Sequence, residues 1–271
     1  MVAQDMTGAV MPPPKVLVIE REFVKPGRSG ALHEKSESAF VNAFAAAKWP
    51  THYLAAESLS GRPRVLFMVG YPSFEAWEKD NHAIAKNSAL SATLDRLSVT
   101  DGDLLTEIDQ GVFVFDAESS LRSGDVVHAR YFEASAYKIK PGHRSEWKEL
   151  VKLYQAGVEK ASPTANWALY ESYYGTDNGG LYLAISKMTS LAEDDASMGD
   201  DKKVADAIGP DGMKRVRELS AACIESEQTN LYEFNSKMSY PGDDWIKADP
   251  FWKPKPAAAA AAKKPSAPAN P

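Results

Sequence analysis

A tripeptide that recurs with its surroundings intact constrains this chain more than any other feature. Lys25-Pro26-Gly27 returns 115 residues later as Lys140-Pro141-Gly142, and the patterns on either side return with it. An apolar, β-rich run precedes each copy (16–24 and 127–139), and an amphipathic helix pattern follows. Residues 33–47 place Phe40, Val41 and Phe44 on one helical face, and residues 145–160 place Trp147, Leu150, Val151 and Tyr154 there. The offset then aligns His52-Tyr53-Leu54 with Trp167-Ala168-Leu169, each opening a strand. A turn follows in both copies (60–63 and 175–180), then a return strand (64–69 and 181–186). Ser73 and Ser190 each stand where a helix N-cap is expected. A helix (about 89–109 and 212–228) and a short strand (111–115 and 231–234) end each copy. Each copy therefore runs β-α-β-β-α-β, with helices on one face of an antiparallel sheet. The other sheet face is apolar and needs cover, which two sheets packed face to face in one chain can supply. The expected fold class is α+β, with copies at 15–118 and 125–240.

Composition narrows the partners. The net charge is −6, and the four lysines from Lys253 onward, with no acid among them, leave a body of −10. An acidic body disfavours nucleic acid or an anionic membrane surface, both of which need a concentrated positive field. No apolar run approaches the roughly 20 residues that span a bilayer. The single cysteine, Cys223, falls in a helical pattern with Val216 and Leu219 and is expected in the core. Residues 1–14 are expected to be a disordered leader, and residues 241–271 an extended segment ending in a disordered Ala/Pro/Lys tail. Read literally, the first residues are those of a cytoplasmic protein. The Ala3-Gln4-Asp5 opening and Pro-rich stretch also match an exported chain whose signal peptide has been removed, and we lean to that reading.

The element order resembles the dimeric α+β barrel superfamily, whose unit is ferredoxin-like, in a tandem-repeat form. That superfamily includes antibiotic-biosynthesis-type monooxygenases, NIPSNAP-like proteins and the haem-binding chlorite dismutase and dye-decolourising peroxidase families. The chain looks most like bacterial tandem-barrel proteins, and the segment from Asp244 to Trp252 matches that group. The resemblance covers about 15–240 and implies an intramolecular barrel formed by two ferredoxin-like repeats, as a monomer with an internal pseudo-dimer or as a homo-oligomer. It implies a small apolar or aromatic ligand, without naming one.

Pockets in such a unit form between the sheet and its own helices. Glu133 lies on a strand face with Tyr131 and Tyr137, where aromatic surroundings raise a carboxyl pKa and suit it to acid–base work. His52 near Trp49 and Tyr53 is a candidate base or haem ligand. Glu171 lies among Tyr170, Tyr173 and Tyr174. The candidate catalytic groups are thus His52, Glu133 and Glu171, and the candidate ligand-binding residues Trp49, Tyr53, Tyr131, Tyr137, Trp167 and Tyr170. The histidines form no HxH or HxxxH pair, so no metal site is expected. No cofactor is predicted, although one axial histidine would be enough for haem. The acids at 194–195 and 200–201 are expected in a solvated loop. Three functions remain open: small-molecule binding, a cofactor-free monooxygenase or isomerase, and a haem protein.

Overall fold

Alternation of side chains gives each strand two usable faces, and in a closed barrel one faces the lumen while the other faces the helices. The computed structural model describes residues 12–175 and 180–253. The first half runs β1 (Val16–Val24), α1 (Ala31–Ala46), β2 (Tyr53–Ser58), β3 (Arg64–Tyr71), α2 (Phe74–Lys86), α3 (Ser88–Gly102) and β4 (Leu105–Leu121). The second runs β5 (Tyr131–Ile139), α4 (Arg144–Ala161), β6 (Trp167–Tyr174), β7 (Leu181–Met188), α5 (Ala192–Ser197), α6 (Asp200–Cys223) and β8 (Ile224–Phe234). A short helix α7 (Asp243–Ala248) and a 3₁₀ turn (Pro250–Trp252) follow.

All eight strands close into one antiparallel barrel in the order β1-β3-β2-β8-β5-β7-β6-β4. The first half contributes β4-β1-β3-β2 and the second β8-β5-β7-β6, the same permutation four strands on. The halves meet at two seams, β2 with β8 and β4 with β6. The lumen is filled by apolar side chains including Leu17, Ile19, Leu66, Phe113, Phe132 and Phe234. Phe132 and Tyr232, paired on the neighbouring strands β5 and β8, stack with ring centroids 5.0 Å apart. Each such side chain removed from water contributes about 1.5–3 kcal/mol.

Gly175 closes the β4–β6 seam at φ 77°, and a Cβ there would stand 2.0 Å from the Gln110 carbonyl oxygen. Only a residue without a side chain tolerates that approach and that φ together. Gly175→Ala should therefore cost at least about 2 kcal/mol in urea unfolding; an unchanged midpoint would show that the seam can relax.

Several boundaries differ from the sequence reading. The helix expected to reach 109 ends at Gly102, and the one expected over 212–228 is α6, which ends at Cys223. Residues 105–110 and 224–230 continue β4 and β8 instead, because each pairs along the full length of β1 or β5. Tertiary pairing overrides their helix-forming composition. Helix α6 also starts earlier, at Asp200, and bends at Gly209-Pro210. The acids at 194–195 and 200–201 lie in α5 and at the start of α6 and not in a loop, with Asp200 accepting from the Ser162 hydroxyl at 2.8 Å. Ser73 caps α2 by accepting from the Ala76 N–H, whereas Ser190 sits before α5 and bonds Ala192 N–H without capping it. The constant offset also slips: strand register equates Ala55 with Leu169 and Phe67 with Ala184.

Both ends of the chain depart from expectation where they are described. Pro12–Pro14 are packed at the barrel mouth, with Pro14 against Gly70. Residues 241–252 are not extended: α7 and the 3₁₀ turn lie over the same barrel end. Trp252 is fully buried against Phe234 and donates its Nε1–H to the Val127 carbonyl at 2.6 Å. Cys223 is fully buried, as expected. The remaining leader, most of the 175–180 turn and the tail beyond 253 lie outside the described residues.

Candidate functional site

In the second half, α4 and α6 stand off the outer face of β5, β6 and β7 and leave a cavity of about 570 Å³ between helix and sheet. Strand alternation sends Glu133, Ser135 and Tyr137 of β5 into it, while α4 supplies Trp147 and β6 supplies Trp167. Tyr137 and Trp147 lie with ring centroids 5.1 Å apart. Trp167 is fixed by its Nε1–H donating to the Ser119 carbonyl at 2.7 Å. Burial, with the Asp194 charge behind it, raises the Glu133 carboxyl above the ordinary range. The wall also holds Glu193, Asp194, Asp200, Asp201 and Glu227 against one lysine, Lys187. The cavity is thus aromatic at its base and acidic at its rim, and it suits an apolar ring bearing a hydrogen-bond donor or a positive charge.

A second cavity, of about 530 Å³, opens from the lumen under Trp245 and Pro12–Pro14. It is mainly apolar, with Thr51, Ser123, Asn166 and Lys187 among its polar lining. His52, Tyr53 and Tyr170 line it together with Leu17, Met68 and Phe132. The His52 ring is exposed and rests 4.7 Å from the Tyr240 ring.

The sequence candidates are therefore split. Glu133, Tyr137 and Trp167 meet in the second-half cavity, and His52 and Tyr170 at the lumen mouth, which Tyr53 borders with its ring packed on the outer sheet face against Phe44 and Phe67. Trp49, Tyr131 and Glu171 line neither. Trp49 is buried with its Nε1–H on Asp80 at 3.0 Å, and Glu171 is paired with Arg144.

The first half is built differently at the matching place. Glu20 and Glu22 of β1 occupy the positions of Ser135 and Tyr137, and α1 and α3 close over them. His33 (0% exposed), Asp101 (3%), Glu37 (4%) and Glu22 (5%) are buried together. His33 Nε2 lies 2.8 Å from Glu22, 3.7 Å from Asp101 and 3.9 Å from Glu37. Burial raises Glu37 to about 10, reinforced by the charges of Glu22 and Asp101. Burial likewise raises Glu20 to about 7 and raises Glu22, the latter opposed by its hydrogen bond to His33. The histidine spacing alone pointed away from such a grouping. One signal was available: His33, Glu37, Phe40 and Phe44 form one stripe at spacings of four, three and four along α1.

Haem needs an axial imidazole facing a slot wide enough for the macrocycle. His33 is buried among carboxylates, and neither it nor His82, His128 or His143 lines either cavity. Of the described histidines His52 alone lines either of these two cavities, and its ring is laid against Tyr240 and Gly242. These residues do not fit haem.

No protein-family model matches the chain, and no curated protein matches its sequence. Solved structures do match in fold. An anthrone oxidase-like protein is 13% identical with a TM-score of 0.53, covering 84% of this chain and 94% of that one. A candidate monooxygenase from Fusobacterium nucleatum subsp. nucleatum is 11% identical with a TM-score of 0.53, covering 83% and 94%. A chlorite dismutase variant from Candidatus Nitrospira defluvii is 15% identical with a TM-score of 0.47, covering 87% and 95%. At these identities the likeness concerns the fold: a closed antiparallel eight-stranded α+β barrel.

Proposed function

We propose that the chain is a small-molecule-binding protein of the α+β barrel type, made from two tandem ferredoxin-like halves at 15–118 and 125–240. The observation that carries this reading is the cavity of about 570 Å³ between the sheet and helices of the second half. Its volume falls in the range of small-ligand sites, and its wall combines aromatic surface with one inward carboxyl of raised pKa. The ligand class is a compact aromatic or apolar molecule with a donor or cationic group for Glu133. The same carboxyl supports a second reading, a cofactor-free monooxygenase or isomerase. A carboxyl titrating nearer neutrality inside an apolar pocket can take a proton from a bound carbon acid. Because the two halves close the barrel on each other, one chain supplies a complete barrel.

Filling each cavity separately tests the assignment. Ala184 borders the second-half cavity and Ala168 the lumen cavity. With the neutral probe N-phenyl-1-naphthylamine, Ala184→Leu should weaken binding about tenfold or more, while Ala168→Leu should leave it near wild type. The reverse order would move the site to the lumen. No binding of the probe by the folded wild type would overturn the apolar-ligand reading.

A further inference from the structure

We infer that the first half holds a closed, structural divalent transition-metal ion, ligated by Glu22, His33, Glu37 and Asp101. One donor atom from each of the four lies within 4.8 Å of all the others. A tetrahedral ion at the usual 2.0–2.2 Å sets its ligand atoms about 3.4 Å apart. The widest pair of donors therefore closes by roughly an ångström when an ion is embraced, a movement within reach of side-chain rotation. The donors come from three elements, β1, α1 and α3. His33 and Glu37 are one helical turn apart, so α1 presents both toward the sheet.

Independent of the count of acids is the state of the atoms. Glu37 Oε1, Asp101 Oδ1 and His33 Nδ1 are all buried and have no hydrogen-bond partner. Buried polar atoms are ordinarily satisfied, and leaving one unpaired costs about 1–3 kcal/mol. The two carboxylate oxygens both lie near His33 Nε2 and mark a space shaped for something that accepts their lone pairs, as a cation does for both at once. Tyr53, whose buried hydroxyl is also unpartnered, forms the adjoining wall, and Glu20 adds an outer carboxyl.

The donor set selects the ion. An imidazole among carboxylates suits manganese, iron or zinc; calcium and magnesium prefer oxygen alone. No thiolate is present, since Cys223 lies in the second half. None of the four donors lines either cavity described above. A site without an open position is of the structural kind, so its expected role is to hold α1 and α3 onto the sheet.

The test uses the full chain, stripped with chelator and then offered Mn²⁺, Zn²⁺, anaerobic Fe²⁺, Ca²⁺ or Mg²⁺ singly. After gel filtration, mass spectrometry should find about one transition-metal ion per chain, and the melting temperature should rise on loading. His33→Ala and Asp101→Asn should each weaken binding about 100-fold, whereas Glu171→Gln should leave it unchanged. If the single variants fail to give a cooperative melt, Glu37→Gln, which keeps shape and one oxygen, replaces them with the same expectation. A folded wild type that stays metal-free, loads Ca²⁺ or Mg²⁺ in preference, or loads equally well in the folded variants would overturn the inference.

Discussion

Trp252→Ala should lower stability by about 3–5 kcal/mol, the range for removing a fully buried large aromatic side chain. The residue is 0% exposed and its ring meets those of Phe234, Trp245 and Phe251 at 5.5, 5.2 and 4.9 Å. It belongs to the lumen core together with Val127 and Ala129, so its loss opens the barrel end instead of trimming a tail. The Nε1–H bond to the Val127 carbonyl adds a second effect, because its removal leaves a buried acceptor unpaired. Trp252→Phe separates the two: it keeps most of the ring contact and should cost about 1–2 kcal/mol. Around the plug, Asp249 holds Arg130 at 2.6 Å and His128 at 3.2 Å, which fixes α7 and the 3₁₀ turn over the strand ends. Urea unfolding followed by tryptophan fluorescence and by far-ultraviolet circular dichroism checks the expectation. A loss below about 1 kcal/mol in Trp252→Ala would mean that the segment 241–252 merely rests on a barrel closed without it.

That segment shows where the sequence stops being informative. The Lys-Pro-Gly repeat, the hairpin signals and the helical stripes announced the element order, because each is a local pattern of period two or three to four. The barrel's closure was legible as a requirement, since an apolar sheet face needs cover. Its seams were not, because pairing β2 with β8 and β4 with β6 depends on contacts between residues over a hundred positions apart or between strands of different halves. The plug was invisible for the same reason: nothing local in Asp244–Trp252 says that Trp252 enters a lumen lined by Phe132 and Phe234. For the candidate site, Glu133 with Tyr137 was legible from strand alternation, and Trp167 joined them through the fold. Tyr131 was placed with them by parity, yet it stands at the strand's start, away from the cavity. The buried cluster was missed because its parts are dispersed. Glu22 appears in a strand, His33 and Glu37 in a helix whose apolar face seemed to begin at Phe40, and Asp101 in another helix. The offset that equates Glu22 with Tyr137 did contain the clue that one half puts charge where the other puts an aromatic ring.

Metal-free protein should lose stability as pH rises from about 5 toward 10, the opposite of ordinary acid denaturation. The groups that face one another are Glu20 and Glu22 on β1, His33 and Glu37 on α1, Asp101 on α3 and Tyr53 on β2. A carboxyl whose folded pKa is raised binds its proton more tightly in the folded state than in the unfolded one. Its contribution is therefore fully present below the unfolded value, near 4.5, and is lost as pH climbs through the folded value, about 7 for Glu20 and about 10 for Glu37. Glu20 alone sets an upper bound of about 3 kcal/mol lost between those limits, one pKa unit being about 1.36 kcal/mol. Glu22 and Glu37 move in the same direction, so the combined loss is several kcal/mol over an interval in which most proteins are near their most stable. This follows from burial of the carboxyls and holds for the stripped chain whether or not an ion binds when offered. Urea midpoints at pH 5, 7 and 9 in the presence of chelator measure it directly. Glu37→Gln removes one ionisable partner and should flatten the slope, gaining more at pH 9 than at pH 5. A midpoint that stays level or rises across that range would show that water reaches the cluster and that these carboxyls ionise freely in the folded chain.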